Sequence, residues 1–389
     1  MNDFYLLKAN NLPGDIDIHS DILSVVPSAL SRKRALKTGR EKQSEMVDKR
    51  GPESCILCRP NIKPAGTSEV KTVIPNRCAD FINDFPYLPG DQRVIFLWNE
   101  NEEIRKSCIH RYKLADLTKI DLFWLLKGCI VRGKQYKINP ESNETTELHE
   151  DLLRKAPDQM RMVVGFNFGK LAGQSIPHFH AQYGWEVVLN PTALSDNTLQ
   201  LYFEELRSAD LIIHETDEVR VVAPWTPMGQ YALDVYFVGK YDICEMSDLD
   251  IKLFSVIGES VVQKYHSLGI NNMNIVFTNS PDNKKIQPLV AHFVPRVNMT
   301  ALYEIKGVNV VDTPPSKIAE EFKRYTETDD KNDDKNDDKK EIDWVQLIKK
   351  ANSFDPDKEY EETFALTTKK TDPNKSQKQT TESENKPAE

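Results

Sequence analysis

The chain has 389 residues, of which 39% are hydrophobic and 9% aromatic, so it has room for about two domains and is too apolar to be wholly disordered. Its formal net charge of -9 excludes a general nucleic-acid binder, because affinity for a phosphate backbone requires a basic surface. No apolar run is long enough to span a bilayer, and the N-terminal segment has no signal-peptide pattern. We therefore expect a cytoplasmic protein that binds neither nucleic acid nor membrane.

The first half of the chain predicts an N-terminal arm followed by one α+β unit. Residues 1–50 read as partly helical and then strongly charged, as in a lid or a docking arm. From Gly51 onward, short apolar runs alternate with Pro, Asn, Asp and Gly, as strands and turns do. LADLTKIDLFWLLKGCIVRGKQY has apolar residues at helical spacing, and RMVVGFNFG and IPHFHAQYGWEVVL read as strands. These patterns predict a first unit over residues 51–195.

A similar order of elements recurs over residues 196–327, without close sequence identity. Strand-like VRVVAPW and ALDVYFVG precede helix-like LDIKLFSVIGESVVQKYHSLG, and strand-like NMNIVFTNS and LVAHFVPRV follow it. This order indicates an internal duplication that places two similar α+β units side by side.

The composition changes near residue 328, where TDDKNDDKNDDKKE begins a polar segment that has too little apolar surface to offset chain entropy. It predicts a disordered acidic and polar tail over residues 328–389. Within this tail, IDWVQLIKKA is either a short helix that docks on the body or a weakly structured segment, and the composition favours the second alternative.

Two histidines separated by one residue, His178 and His180, mark the predicted catalytic strand. Side chains at i and i+2 of a strand share a face, so both imidazoles and the Gln182 amide can reach one ligand. A neutral imidazole is a good nucleophile, and Gly169 and Gly173 allow the backbone to approach phosphate oxygens closely. Taken alone, the HxH pattern is more typical of core or metal-binding histidines, and its surroundings decide the interpretation.

The segment GFNFGKLAGQSIPHFHAQ resembles the galactose-1-phosphate uridylyltransferase branch of the histidine-triad superfamily, which carries an asparagine, a glycine-rich turn and HPHxQ. The matching residues are Asn167, Gly173, Ser175, Pro177, His178, His180 and Gln182. Phe179 stands where the family usually has proline. Gln182 stands where the hydrolases of the superfamily have histidine, which favours transfer over hydrolysis. Asn83 in FINDFPYLPG matches an asparagine that contacts the nucleotide in the family.

The resemblance implies a duplicated histidine-triad fold with an antiparallel sheet and packed helices in each unit. It implies that His180 attacks a nucleotide phosphate and forms a covalent nucleotidyl-histidine, while Gln182 stabilises the transferred phosphate. The residues expected to hold the nucleotide and its phosphates are Asn83, Asn167, Gly173 and Ser175.

The implied donor is a nucleotide sugar or another nucleotide, and the implied acceptor is a sugar 1-phosphate, as in a hexose-1-phosphate nucleotidyltransferase of carbohydrate metabolism. The DPLTGEW-like N-terminal signature of the family is not found, so a nucleotide-sugar or dinucleoside-polyphosphate phosphorylase that uses inorganic phosphate is the alternative. Further alternatives are a nucleotide-binding module without catalysis and a zinc-dependent hydrolase. The resemblance also implies a homodimer, because relatives are commonly dimers.

Cys55 and Cys58 have the CxxC spacing of a zinc site, but the sequence contains no second CxxC. The six cysteines are few and unevenly spaced, which argues against a disulfide scaffold. The resemblance implies a closed structural zinc site with the ligands Cys55, Cys58, His110 and His178. Cys108 is a rival third ligand, and without metal the pair would be an inert thiol pair or a redox motif.

In the second unit, LVAHFVPRV resembles the HAHF segment of the family, but Val290 replaces its first histidine. Some relatives use both histidines for a second metal, so we do not expect that site here. His292 is therefore as typical of a packed structural histidine as of a functional one.

Overall fold

The chain folds as an α+β protein around one large antiparallel sheet, which is the fold class that the sequence predicts. This computed structural model describes residues 6–12, 16–21, 28–31, 51–58, 70–83, 92–138, 160–187, 196–280, 287–297, 309–311, 313–323 and 342–368. The strands in those residues are β1 (Leu6–Leu12), β2 (Ile16–Asp21), β3 (Ser28–Ser31), β4 (Lys71–Ile74), β5 (Cys78–Ile82), β6 (Arg93–Leu97), β7 (Met160–Phe168), β8 (His180–Val187), β9 (Ile212–Glu215), β10 (Val219–Val222), β11 (Leu233–Phe237), β12 (Met273–Thr278), β13 (Leu289–Pro295) and β14 (Asn309–Val311). The longer helices are α1 (Lys119–Ile138), α2 (Asp196–Ser208), α3 (Asp248–Ser267), α4 (Pro315–Lys323), α5 (Trp344–Ser353) and α6 (Pro356–Thr368). None of these helices is long and apolar enough to cross a membrane.

The large sheet has ten strands in the order β4-β5-β6-β8-β7-β12-β13-β11-β10-β9, and all neighbours are antiparallel. The first five strands come from the first predicted unit and the last five from the second, in mirrored order about the β7–β12 pair. Helices α1 and α3 are both 20 residues long and precede β7 and β12 at equivalent places in the chain. The expected duplication is therefore present, and the two units share one continuous sheet.

The strand register relates the two units to each other. The pairs across β7 and β12 include Phe166 with Ile275, Gly165 with Val276, and Asn167 with Asn274. A two-fold rotation about the first pair would exchange the other two, and it would also exchange every strand with its counterpart. His180 immediately precedes the β8 residue that pairs with Phe166, and His292 immediately precedes the β13 residue that pairs with Ile275. The two histidines therefore occupy equivalent positions.

Alternation along the central strands gives the sheet two different faces. On β6, Ile95 and Leu97 belong to the main apolar core, which includes buried residues of α1 and α3. Val94 and Phe96 instead belong to a smaller apolar cluster on the opposite face. Phe96 pairs with His180 across β6 and β8, and directly paired residues share a face. His180 therefore lies on the face away from the main core.

Two helices, α5 and α6, lie within the predicted disordered tail; α5 matches the docked-helix alternative for IDWVQLIKKA, and the favoured alternative of a weakly structured segment was wrong. Trp344, Leu347 and Ala351 recur at helical spacing on one side of α5, and all three are buried. The Trp344 Nε1 donates a hydrogen bond of 2.9 Å to the carbonyl of Phe322 in α4. The burial of this apolar stripe stabilises the helix, although the polar composition of the surrounding sequence favoured a weakly structured segment.

A cation–π stack holds α6 against the first unit. The Arg77 guanidinium lies 4.1 Å from the ring centroid of Tyr360 and 5.1 Å from that of Trp124 in α1. Its Nη2 also lies 2.8 Å from a carboxylate oxygen of Asp357. Aromatic packing and an ion pair thus fasten the C-terminal helix to the body of the protein.

The predicted N-terminal arm and C-terminal tail lie only partly within the described residues. Strands β1, β2 and β3 fall within the predicted N-terminal arm and form a four-stranded sheet with β14, so the partly helical expectation was wrong for these residues. Residues 324–341 and 369–389 of the second unit and the tail lie outside the described residues. The boundaries proposed at residues 50, 195 and 327 stay predictions.

A buried polar network connects β5, β6, β8 and α1 beneath the helix layer. The Asp80 carboxylate is fully buried and accepts hydrogen bonds from Tyr183 Oη at 2.7 Å, Arg132 Nε at 3.2 Å and Arg93 Nη1 at 3.4 Å. Removing one partner from such a network leaves the opposite charges buried without compensation. The carboxylate therefore holds together the strands that carry the candidate site.

We expect Asp80→Ala to lower the free energy of unfolding by about 3–5 kcal/mol, because Arg93 would keep its buried charge without a carboxylate partner. Equilibrium urea unfolding monitored by circular dichroism measures this loss. Asp357→Ala removes an exposed carboxylate from its ion pair with Arg77 and serves as the control, with a much smaller expected loss. Equal losses in the two variants would contradict a structural role for the Asp80 network.

Candidate functional site

Four predicted metal ligands converge beside the start of β8. One donor atom from each of Cys55, Cys58, His110 and His178 lies within 4.8 Å of the others. The Cys58 Sγ is 3.3 Å from His110 Nδ1 and 3.4 Å from His178 Nδ1. The Cys55 Sγ is 3.6 Å from His178 Nδ1. Tetrahedral zinc separates thiolate sulfur from imidazole nitrogen by about 3.5 Å, so these four side chains fit such an ion.

The protonation of the cysteine pair also suits a metal. A hydrogen bond from the Cys58 side chain, opposed by burial and assisted by His110, lowers the pKa of the Cys55 thiol to about 2. The thiolate, and not the thiol, is the form that binds a metal. The cluster therefore combines soft, ionised sulfur with two imidazoles, the donor set that zinc prefers in closed structural sites.

One arginine side chain and one backbone hydrogen bond, neither marked by a sequence motif, attach the ligands to the rest of the site. Arg105 Nε donates to the carbonyl of Cys58 at 3.1 Å, and Arg105 Nη1 donates to the carbonyl of Glu100 at 2.8 Å. The carbonyl of Arg111, next to His110, accepts the backbone N–H of Phe179 at 2.8 Å. The segment that carries His110 is thus fixed to the turn before β8. The side chain of the rival ligand Cys108 lies outside the described residues.

The predicted nucleophile His180 is buried and oriented by one backbone hydrogen bond. Its Nδ1 lies 2.8 Å from the carbonyl oxygen of His178, and a carbonyl can only accept, so Nδ1 carries the proton. The lone pair is therefore on Nε2. Burial lowers the pKa of His180 to about 4, which keeps the ring neutral and nucleophilic at neutral pH.

The glycine-rich turn before β8 is held together from within by Gln174, a residue that the sequence analysis did not single out. Gln174 Oε1 accepts the backbone N–H of Gly169 at 2.7 Å, and its Nε2 donates to the carbonyl of His178 at 3.3 Å. Gly169 has φ +84°, and a Cβ there would lie 2.3 Å from Asn272 Oδ1, so only glycine fits. The turn also contains Gly173, at φ +87°, and leaves Ser175 exposed.

The predicted phosphate-stabilising residue Gln182 follows His180 on the same face of β8. Gln92 Nε2 donates to Gln182 Oε1 at 3.1 Å and so orients the amide. Asn83 lies at the end of β5, where its backbone N–H donates to the carbonyl of Gln92 at 2.8 Å. Asn83, Gln92 and Gln182 therefore form a polar row across three strands.

The predicted nucleotide-binding residue Asn167 belongs to the same face of the sheet. Phe166 pairs with Ala181, and continuing this register by one residue sets Asn167 beside His180. Asn167 Oδ1 accepts a hydrogen bond of 2.7 Å from Asn274 Nδ2 of the second unit. The structure therefore brings together most of the residues that the motif nominated, together with one partner that it did not.

His292 takes part in a hydrogen-bonded cluster in the second unit. Its Nδ1 lies 2.8 Å from Asp234 Oδ1, and its Nε2 lies 3.1 Å from Thr278 Oγ1. His292 is thus fixed at both ring nitrogens by side chains, whereas His180 is fixed by the backbone.

We expect purified protein to contain about one zinc ion per chain, measured by inductively coupled plasma mass spectrometry, because two thiolates and two imidazoles form a closed site. Cys58→Ala and His110→Ala should each lose most of this zinc. Cys108→Ala, at the rival position, should retain it. Zinc loss in Cys108→Ala with retention in His110→Ala would reverse the assignment of the third ligand.

Several solved structures resemble this chain at low sequence identity. An ADP-glucose phosphorylase from Arabidopsis thaliana with bound ADP-glucose aligns over 80% of this chain and 99% of its own, with a TM-score of 0.55 and 15% identity. A GalT-like protein from Arabidopsis thaliana aligns over 65% of this chain and 84% of its own, with a TM-score of 0.47 and 16% identity. A yeast Ap4A phosphorylase aligns over 81% of this chain and 84% of its own, with a TM-score of 0.35 and 11% identity. The sequence matches no protein-family model and no curated protein.

At 15% identity, the similarity to the ADP-glucose phosphorylase concerns the fold and not the reaction. It extends over both units, because it covers four-fifths of this chain. The resemblance expected from the HxHxQ segment is thus confirmed at the level of the fold. Over its two units, the chain therefore has the fold of this ADP-glucose phosphorylase.

Proposed function

We propose that this protein transfers a nucleoside monophosphate from a nucleotide-sugar donor to a sugar 1-phosphate through a covalent bond to His180. The observation that carries the proposal is the hydrogen bond from His180 Nδ1 to the carbonyl of His178, which leaves the Nε2 lone pair as nucleophile. An imidazole fixed in this tautomer can attack phosphorus without first losing a proton.

In the first step, Nε2 of His180 forms a bond to the α-phosphorus of the donor, and the bond from that phosphorus to the bridging oxygen breaks. The departing sugar 1-phosphate keeps the bonding electron pair. The nucleotidylated ring is positively charged, and its Nδ1–H still donates to the carbonyl of His178, which stabilises that charge. In the second step, a phosphate oxygen of the acceptor attacks the same phosphorus and releases neutral His180.

The surrounding groups supply positioning. Gln182, oriented by Gln92, would stabilise the nonbridging oxygens of the transferred phosphate. Asn83 and Asn167 would hold the nucleotide, and the turn with Gly173 and Ser175 would orient the phosphates. These roles follow from the match to the family motif and from the shared face of the sheet.

We propose zinc as a structural ion held by the two cysteines of the CxxC pair, His110 and His178. The ion would supply no chemistry of its own; it would fix the backbone of His178, whose carbonyl orients the nucleophile. Four protein ligands would leave no open position for a metal-bound water, which argues against the zinc-dependent hydrolase alternative.

A second candidate reaction is phosphorolysis, in which inorganic phosphate takes the place of the sugar 1-phosphate acceptor. The similarity of fold to an ADP-glucose phosphorylase favours this candidate. Both reactions share the nucleotidyl-His180 intermediate and differ only in the second step. The acceptor that removes the nucleotide from this intermediate therefore distinguishes the two reactions.

Intact-protein mass spectrometry tests the shared intermediate. Mixing the protein with UDP-glucose, ADP-glucose or Ap4A, without acceptor, should add the mass of one nucleoside monophosphate. His180→Ala should abolish the adduct because it removes the nucleophile, whereas His266→Ala, which changes a histidine on α3, should retain it. Nucleotide binding without any adduct in the unmodified protein would instead support a binding module without catalysis.

The adduct also identifies the acceptor. Isolated nucleotidyl-protein should return to its original mass within seconds to minutes when the true acceptor is added, because imidazole is a good leaving group from phosphorus. Glucose 1-phosphate and galactose 1-phosphate test the transferase, and inorganic phosphate tests the phosphorylase. Discharge by inorganic phosphate alone would exclude the transferase, and discharge by water at the same rate would exclude both.

A further inference from the structure

A chain of three polar side chains crosses from the second unit to the candidate site. Arg296 Nε donates to Asn274 Oδ1 at 2.6 Å. Asn274 Nδ2 donates to Asn167 Oδ1 at 2.7 Å and to the carbonyl of Ala172 at 2.9 Å. Asn274 is buried at the β7–β12 junction, and both its Oδ1 and its Nδ2 are hydrogen-bonded within the protein.

The chemistry of the partners fixes the orientation of each amide in this chain. Arginine only donates hydrogen bonds and a carbonyl only accepts them, so the Oδ1 of Asn274 must face Arg296 and its Nδ2 must face Ala172. Because Nδ2 of Asn274 is a donor, Asn167 must present Oδ1 to it. The Nδ2 of Asn167 is therefore on the side of its amide away from Asn274.

We propose that Asn274 and Arg296 are positioning residues that fix the Asn167 amide so that its Nδ2 donates to a phosphate oxygen of the nucleotide donor. This inference rests on the proposed function, because it assumes that the donor binds beside His180. Asn167 lies next to His180 in the continued register of β7 and β8. An amide turned the other way would bring its carbonyl oxygen against a phosphate oxygen, and two acceptors in contact repel each other.

Through these hydrogen bonds, the second unit determines which atom of the Asn167 amide, Oδ1 or Nδ2, faces the donor. It does so across the central β7–β12 pair, where the two halves of the sheet meet. The hydrogen bond from Asn274 to the carbonyl of Ala172 also holds the glycine-rich turn that precedes His178. Both effects depend on a single amide that no motif in the sequence marks.

Asn274→Asp tests the proposal with almost no change in shape. A carboxylate still accepts from Arg296, but its second oxygen cannot donate, so Asn167 must turn its Nδ2 toward position 274 and its oxygen toward the donor. The Kd of UDP-glucose or ADP-glucose should rise about tenfold to hundredfold, the range for losing a hydrogen bond to a charged group. Isothermal titration calorimetry on the His180→Ala protein measures this Kd without turnover.

Asn101→Asp is the matched control, because it makes the same change at an exposed helix N-cap where aspartate caps as well as asparagine. Its Kd should equal that of the parent. An unchanged Kd in Asn274→Asp would overturn the proposal. Adduct formation is measured in parallel on protein that retains His180. Failure of the proposed function would appear there as absent labelling, whereas failure of this inference would appear as an unchanged Kd in Asn274→Asp.

A double-mutant cycle separates action through Asn167 from action on the turn. In an Asn167→Ala background, Asn274→Asp should change the Kd by less than about twofold, because the amide that it reorients is gone. A loss of affinity that persists in this background would instead assign Asn274 to the hydrogen bond with Ala172, and the proposal would be wrong.

Arg296 is tested in the same cycle. Arg296→Met removes the donor to Asn274 and should weaken donor binding, whereas Arg296→Lys keeps a donor and should restore part of the affinity. Both effects should disappear in the Asn167→Ala background. An Arg296→Met penalty that remains there would mean that the guanidinium contacts the nucleotide directly, which would overturn its assignment as a positioning residue.

Discussion

The carbonyl of His178 is the constraint on which the rest of the site depends. It accepts the Nδ1–H of His180 and so fixes the tautomer of the candidate nucleophile, while the side chain of the same residue belongs to the metal cluster. Gln174 donates to this carbonyl as well, from within the glycine-rich turn. One residue thus joins the cysteines, the turn and the nucleophile, and displacing its backbone would disturb all three.

Local sequence patterns predicted the parts of the site that are close together in the chain. The i and i+2 spacing predicted that His178 and His180 lie on one face of a strand, but β8 begins at His180 and His178 lies in the turn before it. The CxxC pair marked the sulfur ligands. Patterns could not predict Arg105, Gln174 or Asn274, because their effects depend on contacts with distant backbone and amide groups. Such residues have no characteristic spacing, so only the packed fold reveals them.

The fold was predictable to a similar degree. Alternating and helical periodicity indicated the strands and helices of both units, and their repeated order indicated the duplication. The continuous sheet was not evident, because the pairing of β7 with β12 joins strands more than a hundred residues apart. Helix α6 was not predicted, and α5 was only the less favoured alternative, because the short apolar stripe with Trp344 and Leu347 is surrounded by low-complexity sequence.

His180 and His292 occupy equivalent positions in the two units, but their neighbouring residues give the two imidazole rings different hydrogen-bond partners. His180 faces apolar Phe96 across the sheet and receives its orientation from the backbone, which leaves Nε2 unprotonated. His292 faces Asp234, which occupies Nδ1, while Thr278 occupies Nε2. The two units each carry a histidine at this position; the neighbours of His180 leave it the neutral ring that the proposed attack on phosphorus requires, whereas those of His292 hold both of its ring nitrogens in hydrogen bonds. The second unit can still act on the site, because the β7–β12 pair brings Asn274 to the edge of the first.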